Sequence, residues 1–237
     1  MKAMILAAGR GERLDPLTRQ TPKPMLEVAG KPLIEHQIGW LAAGGIREIV
    51  INLHHLGSQI ANYLGDGARF GVNIQYSHEP RLLDTGAGIQ NALPLLGPDP
   101  FVVLNGDIWT DFDFRQIPSG AVPPALAHLI LTATPAFRRG DFDLREGRVV
   151  RSEYRPLVYC GIALLSRELF RLNTEPVSTA SSHRTPSPQP GKEIEPYSLA
   201  PLYFAAAAAG RLSGKLFSGN WVDIGTPEQY ENLVQQT

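Results

Sequence analysis

The chain contains 237 residues, of which 43% are apolar and 19% are charged, so it is long and apolar enough to form one globular domain with a substantial core. Its net charge of −1 argues against nucleic acid or an anionic membrane surface as the main partner. Cys160 is the single cysteine, which excludes an internal disulfide framework and fits a reducing compartment.

The N-terminal segment does not have the pattern of a targeting signal. The apolar run Ala3–Ala8 is shorter than the core of a signal peptide, and Arg10, Glu12 and Arg13 follow it closely. No segment has the run of apolar residues that a membrane-spanning helix needs. We therefore expect a soluble, cytoplasmic protein.

The first half of the chain alternates short apolar runs with helix-like segments. Met4–Ala8 is a continuous apolar run that ends at Gly9, as expected of a buried parallel strand. The elements predicted next are a helix from Pro32 that stops at Gly44, a strand Glu48–Leu53, a helix Ser58–Tyr63, a strand Val72–Tyr76, a helix Gly88–Leu96 and a strand Phe101–Leu104. This alternation predicts an α/β fold with a Rossmann-like, doubly wound and mostly parallel sheet.

The pattern changes after residue 115. Ala125–Ala133, Arg148–Val150 and Leu157–Leu165 predict strands with no long helix between them, which indicates antiparallel additions at one edge of the sheet that form a substrate wall. The remaining predicted elements are a helix Leu199–Ala209, a strand Trp221–Ile224 and a helix Pro227–Val234.

Residues 173–192 are rich in Ser, Thr and Pro and carry almost no apolar side chains. Such a segment buries too little surface to order itself, so we predict a mobile loop there. We treat 1–237 as one domain, with a first half over 1–115 and a second half over 116–237.

A glycine-rich turn leaves the first strand. Gly9 to Arg13 combines exposed backbone N–H groups with an arginine, which suits phosphate oxygens; a tight turn with a surface arginine is the alternative. Leu14 stands where a Rossmann fingerprint has its third glycine, and Gly30-Lys31 is followed by Pro32 instead of Ser or Thr. Both familiar phosphate loops are therefore excluded.

Lys23 lies between two prolines. Pro22 and Pro24 restrict the backbone and favour an extended stretch, so the lysine could serve as a fixed cation beside the turn. Taken alone, the motif favours a solvated lysine in a loop.

Two aspartates follow apolar segments at distant places in the chain. Asp107 ends Leu104-Asn105-Gly106-Asp107, and Asp223 lies in Trp221–Gly225. A carboxylate at the carboxyl end of a parallel strand faces the ligand crevice, and two of them could bind Mg²⁺ together with substrate phosphates. Asn-Gly-Asp is also ordinary turn composition, and spacing alone does not bring the two residues together.

The segment from Glu79 to Gly88 stands at the end of a strand and opens a helix. Gly86 and Gly88 would let a flat base approach the backbone closely. Taken alone, the segment favours a simpler interpretation in which Thr85 caps the helix.

Together these segments resemble the signature of the sugar-1-phosphate nucleotidyltransferases. The matching segments are Leu6–Leu14, Pro16–Thr18, Pro22–Pro24, Asn105–Asp107 and Trp221–Thr226. The resemblance covers nearly the whole chain and leaves 173–192 unmatched. Three further segments resemble the branch of N-acetylmuramate 1-phosphate uridylyltransferases of bacterial cell-wall recycling: Asp84–Ile89, Gly140–Phe142 and Leu199–Leu202.

The resemblance implies an enzyme that converts UTP and a sugar 1-phosphate into a nucleotide-sugar and pyrophosphate, with small molecules as its partners. The compact length favours a monomer over an oligomer. Nucleotide contacts are expected at Ala7, Ala8, Gly9, Gly11, Glu12, Arg13, Lys23, Glu79, Thr85 and Gly86. The sugar wall is expected at Asn105, Gly140, Asp141, Glu153 and Gly161. Mg²⁺ is expected on Asp107 and Asp223, and the catalytic groups are Arg13, Lys23 and Asp107.

Several departures from the branch pattern fall on the sugar side, at Thr134-Pro135, Cys160 and Tyr197-Ser198. A GDP-, dTDP- or UDP-hexose pyrophosphorylase therefore stays as an alternative, as does a nucleotide-sugar-binding homologue without activity. A dinucleotide-dependent oxidoreductase is disfavoured because the third glycine and the ribose-binding acid are both missing.

Overall fold

The computed structural model describes residues 1–118, 125–135, 139–172 and 194–237. The loop predicted over 173–192 lies outside these residues. The strands are β1 Lys2–Leu6, β2 Glu27–Val28, β3 Lys31–Pro32, β4 Glu48–Leu53, β5 Asn73–His78, β6 Phe101–Asn105, β7 Ile108–Thr110, β8 Ala127–Ala133, β9 Asp143–Arg145, β10 Arg148–Val150, β11 Leu157–Leu165, β12 Leu212–Leu216 and β13 Trp221–Asp223. The α-helices are α1 Leu33–Ala43, α2 Gly57–Leu64, α3 Asp84–Leu96, α4 Ala200–Ala208 and α5 Pro227–Gln236.

One large mixed sheet runs through both halves of the described chain. Its strand order is β5-β4-β1-β6-β11-β8-β12-β10-β9. The first four strands are mutually parallel. β11 then joins β6 and β8 in antiparallel pairing, and β12 pairs with β8 in parallel. The α/β fold is confirmed, and the antiparallel strands begin inside the sheet, next to β6.

Helices cover both faces of the parallel strands. Successive side chains of β1 point to opposite faces, as the pleat of a strand requires. Ile5 joins a buried cluster with Ile38 of α1 and Ile60 of α2. Met4 belongs to a second cluster with Ile89 of α3. A continuous apolar run is therefore needed to fill two cores at once, and the doubly wound arrangement is confirmed.

The predicted elements are present in the structure, but one helix starts earlier than expected and the short strands β2, β3, β7, β9 and β12 were not predicted. The helix predicted from Gly88 begins at Asp84, because its glycine-containing first turn packs against another segment of the chain. The strand β12 was not predicted, since Gly214 and exposed Lys215 weaken its apolar alternation.

A third, smaller core joins the segment after β1 to the C-terminal helix. It contains Leu14, Leu26, Ile224 and Leu233. Because these residues come from both ends of the chain, their packing brings the glycine-rich turn next to β13. Among the described residues, no helix is both long and apolar enough to cross a membrane.

Candidate active site

The glycine-rich turn is held from behind by its neighbours. Gly11 has a φ of 66°, and a Cβ there would lie 2.9 Å from Thr18 Cγ2 and 3.3 Å from Lys23 Cβ. The Thr18 hydroxyl donates to the Gly11 carbonyl over 2.9 Å. Position 11 therefore requires glycine for both its backbone conformation and its space.

An open cleft of ≈ 390 Å³, here called the loop cleft, lies in front of this turn. The cleft brings residues predicted to bind phosphate together with Asp107, one of the two predicted metal ligands. The residues that line it are Gly9, Arg10, Gly11, Glu12, Arg13, Leu14, Lys23, Leu82, Asp107 and Gly225. Arg13 lies against Gly225, beside the end of β13. The cleft thus combines a glycine-lined backbone with three cationic side chains, Arg10, Arg13 and Lys23, an arrangement suited to phosphate oxygens.

Lys23 is buried and paired with Asp107. The lysine Nζ lies 2.7 Å from Asp107 Oδ2, and the two side chains are 11% and 30% exposed. Lys23 begins a short 3₁₀ turn, which is closed by hydrogen bonds from Met25 N–H and Leu26 N–H. The predictions of an extended backbone and of a solvated lysine were therefore wrong, because Lys23, Pro24 and Met25 form a turn in which the lysine ammonium group contacts Asp107.

Backbone pairing makes Asp107 and Asp223 neighbours. β7 and β13 form a small antiparallel sheet in which Asp223 is opposite Ile108. The Ile224 N–H donates to the Asp107 carbonyl over 2.9 Å. The described residues contain no cluster of three or more His, Cys, Asp or Glu side chains. A cation held here would therefore have two carboxylates as its candidate protein ligands.

Gln37 of α1 fixes the turn that carries Asp107. Its side chain is fully buried, and Nε2 donates to the carbonyls of Asn105, over 3.0 Å, and Ile108, over 3.1 Å. Gly106 lies so close to the end of β1 that a Cβ would be 2.4 Å from the Leu6 carbonyl oxygen. Sequence reasoning missed Gln37, because a buried polar residue inside an apolar helix face has no local signature.

A second space, the central cavity, has a volume of ≈ 460 Å³ and lies at the carboxyl ends of β1, β4 and β6. The residues that line it are Leu6, Ala7, Ala8, Gly9, Lys23, Pro24, Asn52, Glu79, Leu82, Asp84, Thr85, Asn105, Gly106, Asp107 and Pro196. Most of the nucleotide contacts expected from the resemblance are among them. It shares Gly9, Lys23, Leu82 and Asp107 with the loop cleft.

Two buried polar residues organise the wall of the central cavity. Asn52 Oδ1 accepts from Ala7 N–H over 2.8 Å, and Asn52 Nδ2 donates to Glu79 Oε1 over 2.7 Å. The other Glu79 oxygen accepts from Leu83 N–H over 3.1 Å. Gly88 leaves the space for this carboxylate, since a Cβ there would lie 2.7 Å from Oε1. Asn52, at the end of β4, is a further residue that sequence reasoning did not select.

The start of α3 differs from the prediction. No side chain caps this helix, and Thr85 Oγ1 instead accepts from Leu199 N–H over 2.9 Å, ahead of α4. A Cβ on Gly86 would lie 2.4 Å from Tyr197 Cε2, and the Gly86 N–H donates to the Tyr197 carbonyl. The cap assigned to Thr85 was therefore wrong, and the space beside Gly86 is occupied by Tyr197 in this conformation.

A third space, the aromatic cavity, has a volume of ≈ 260 Å³ and adjoins the central cavity at Thr85 and Asn105. It is lined by Thr85, Asn105, Ile108, Asp141, Phe142, Tyr159, Gly161, Ser198, Leu199, Ala200, Tyr203, Phe204, Trp221 and Asp223. Of the expected sugar contacts, Asn105, Asp141 and Gly161 are present. Tyr159 and Tyr203 meet edge to face with ring centroids 5.4 Å apart, and burial raises the pKa of Tyr159 well above its usual range.

The other two expected sugar residues lie outside this lining. Gly140 is buried behind Asp141, where a Cβ would collide with the Arg155 carbonyl oxygen. Glu153 is exposed, in a turn where the Ser152 hydroxyl donates to the Tyr154 carbonyl. The structure therefore does not bring Glu153 to the cavity. Cys160 is fully buried, and burial raises its pKa to about 12.

The loop cleft with its lysine–aspartate pair lies beside the central cavity at the carboxyl ends of parallel strands, which is where open α/β sheets bind their ligands. The family described as "Nucleotidyl transferase" matches residues 2–135, and the chain belongs to this family. It is 44% identical to the N-acetylmuramate alpha-1-phosphate uridylyltransferase of Neisseria meningitidis serogroup B, over 95% of this chain and 94% of the relative. The protein of that name from Caulobacter vibrioides is 33% identical over 95% of this chain and 92% of its own. The structure of HddC from Yersinia pseudotuberculosis superimposes with a TM-score of 0.76 at 21% identity, over 99% of this chain and 98% of that one, and so shares the fold.

Proposed function

We propose that this protein transfers a uridylyl group from UTP to N-acetylmuramate 1-phosphate, giving UDP-N-acetylmuramate and pyrophosphate. The 44% identity to the Neisseria relative across nearly the whole chain supports this substrate pair. The structural observation that carries the reaction type is the Lys23–Asp107 pair, because it lines both the loop cleft and the central cavity. We further infer a monomer that works in the cytoplasm, in cell-wall recycling.

The order of the three spaces supports an in-line displacement. The loop cleft and central cavity meet at Lys23 and Asp107, while the central and aromatic cavities meet at Thr85 and Asn105. A triphosphate along the glycine-rich turn would thus have its α-phosphorus between the sugar 1-phosphate and the leaving group. The phosphate oxygen of the sugar attacks that phosphorus, and the bond to the bridging oxygen of pyrophosphate breaks.

The protein's side chains contribute to this reaction by positioning the substrates and by neutralising the charge of their phosphates. Lys23, fixed by its ion pair, neutralises charge that builds up on the α-phosphate, and Arg13 holds the departing pyrophosphate. No protein base is needed, because the attacking oxygen is already ionised at neutral pH. Gln37 and Asn52 keep the turns on either side of the reacting groups in place.

Asp107 and Asp223 are the residues that would hold Mg²⁺. Their donor set fits, since Mg²⁺ prefers carboxylate oxygens and completes its shell with water and substrate phosphates. When bound, the ion supplies positive charge to the phosphate oxygens. Beyond the two aspartates, the other ligands of the ion would be water and substrate phosphates, because the described residues offer no larger acidic cluster.

The test is a pyrophosphate-release panel that crosses five nucleoside triphosphates with several hexose 1-phosphates. We expect the highest kcat/KM for UTP with N-acetylmuramate 1-phosphate. A higher value for GTP with mannose 1-phosphate, or for dTTP or UTP with glucose 1-phosphate, would instead support a hexose pyrophosphorylase. Tight nucleotide-sugar binding by calorimetry without turnover would support a homologue that has lost the chemistry.

A further inference from the structure

The aromatic cavity has acidic and aromatic walls. Asp141 and Asp223 line it, and no lysine or arginine is among the described residues that do. This matters for the proposed substrate, because N-acetylmuramate carries a carboxylate on a lactyl ether in addition to its phosphate. A carboxylate that leaves water for a cavity is unfavourable unless it is paired with a cation or hydrogen-bonded. Arg151 is a candidate for this cation, since it contacts Phe204 of the cavity lining without being part of that lining itself.

Arg151 is held against one of the cavity's own aromatic side chains. It directly follows β10 and is exposed, and its Cζ lies 3.8 Å from the ring centroid of Phe204. Phe204 belongs to α4 and lines the cavity, with its ring centroid 5.8 Å from that of Phe142. Stacking on an aromatic face holds a guanidinium group in place and leaves its N–H groups pointing outward in the plane of the group.

The donors of Arg151 are uncommitted within the part of the chain that the structure describes. The contact with Phe204 is its one interaction there, with no hydrogen bond or ion pair. Arg145, on the neighbouring strand β9, differs because its Nε lies 2.9 Å from an Asp143 oxygen. Arg151 is thus oriented by a ring and still able to accept a carboxylate in a bidentate contact.

We propose that Arg151, stacked on Phe204, binds the carboxylate of an acidic sugar 1-phosphate and so selects it over neutral sugars. This inference rests on the proposed function, which it deepens by naming the group that recognises the acidic substituent. Arg151 is a specificity residue in this role and takes no part in the phosphoryl transfer, which occurs at Lys23 and Asp107.

The experiment compares two sugar 1-phosphates that differ only in the lactyl ether: N-acetylmuramate 1-phosphate and N-acetylglucosamine 1-phosphate. In Arg151→Gln with saturating UTP, we expect KM for the acidic sugar to rise about tenfold or more, as for the loss of a hydrogen bond to a charged group. KM for the neutral sugar and both kcat values should stay unchanged. Phe204→Leu, which removes the stacking surface, should raise KM for the acidic sugar by a smaller factor.

Arg148→Gln is the matched control, because Arg148 is also exposed, lies on β10 itself and is not stacked on Phe204. Its kinetics should equal those of the parent with both sugars. An Arg151→Gln variant with equal changes for the two sugars, or with no change for either, would overturn the proposal. Circular dichroism melting of all three variants shows whether a kinetic change comes from unfolding.

Failure of the proposed substrate can be told apart from failure of the Arg151 assignment. If the parent protein uses another hexose 1-phosphate and not N-acetylmuramate 1-phosphate, the proposed substrate is wrong. The Ki of N-acetylmuramate 1-phosphate as a competitive inhibitor then tests Arg151 directly. A Ki that rises about tenfold in Arg151→Gln supports the carboxylate contact. Absence of inhibition, or a Ki unaffected by the substitution, overturns it.

Discussion

The Ile224 N–H donates to the Asp107 carbonyl over 2.9 Å, and this bond extends the pairing in which Asp223 lies opposite Ile108. Two acids from opposite halves of the chain thereby become neighbours, although neither belongs to the large sheet. The proposed cation site depends on this pairing, since each aspartate alone would be an ordinary turn or strand-end residue.

The first prediction concerns these two carboxylates. Asp107→Asn and Asp223→Asn keep the size of each side chain and remove its charge, so each should lower kcat by about a hundredfold or more and raise the Mg²⁺ concentration needed for half-maximal rate. Asp99→Asn, at an exposed position away from the three spaces, is the control. Pyrophosphate release over a magnesium titration is the measurement, and parental kinetics in either site variant would contradict the metal role.

Lys23 allows a second prediction that separates charge from shape. Lys23→Met keeps most of the side-chain volume and loses the ammonium group, so kcat should fall by about two orders of magnitude while KM for UTP changes less. Lys31→Met removes an exposed lysine paired with Glu35 over 3.1 Å and should leave activity unchanged. Steady-state kinetics over a UTP titration give both constants. A raised KM for UTP with an unchanged kcat would assign Lys23 to ground-state binding only.

The parallel half of the fold was predictable because its strands are buried on both faces and read as continuous apolar runs. The turn at Gly11 was also predictable, since a glycine after such a strand is typical of a tight turn with positive φ. Lys23 was ambiguous, because its burial comes from the end of β6, which is distant in sequence. The pairing of Asp107 with Asp223 is a long-range property that no local pattern encodes.

Gln37 and Asn52 show what sequence patterns miss at this site. Both are buried polar side chains that form hydrogen bonds with backbone groups of other elements. The residues next to them in sequence have the pattern of an ordinary helix or strand. The Thr85 cap failed for a related reason. Threonine is a common helix-capping residue, but the Thr85 hydroxyl accepts a hydrogen bond from a different donor, the Leu199 N–H, which is more than a hundred residues away in the chain.

A third prediction follows for Gln37 as a positioning residue. Gln37→Leu removes the donor to the Asn105 and Ile108 carbonyls, which should cost about 1–3 kcal/mol of unfolding free energy. If Gln37 also positions Asp107, the Mg²⁺ concentration for half-maximal rate should rise several-fold. Gln59→Leu, which loses an exposed bond to the Gln20 carbonyl, is the matched control. A lower Tm with an unchanged magnesium requirement would mean that Gln37 acts on stability alone.

A fourth prediction uses two helical glycines that should respond to alanine in opposite directions. In Gly86→Ala the new methyl group would lie 2.4 Å from Tyr197 Cε2, so the Tyr197 segment must shift, and the variant should lose about 1–3 kcal/mol of unfolding free energy. Gly39, in α1, is exposed and has nothing within 4 Å of the Cβ position. Gly39→Ala should therefore gain about 0.5–1 kcal/mol, because alanine loses less backbone entropy in a helix.

Urea unfolding of both variants measures whether each substitution lowers or raises the free energy of unfolding. Because Tyr197 lies between Pro196 of the central cavity and Ser198 of the aromatic cavity, Gly86→Ala should also weaken binding of both substrates. Gly39→Ala should leave both KM values unchanged. If Gly86→Ala were as stable as the parent, Tyr197 would not be the residue that requires glycine at position 86. Weaker UTP binding without any loss of stability would then make close approach of the base the better explanation for that glycine.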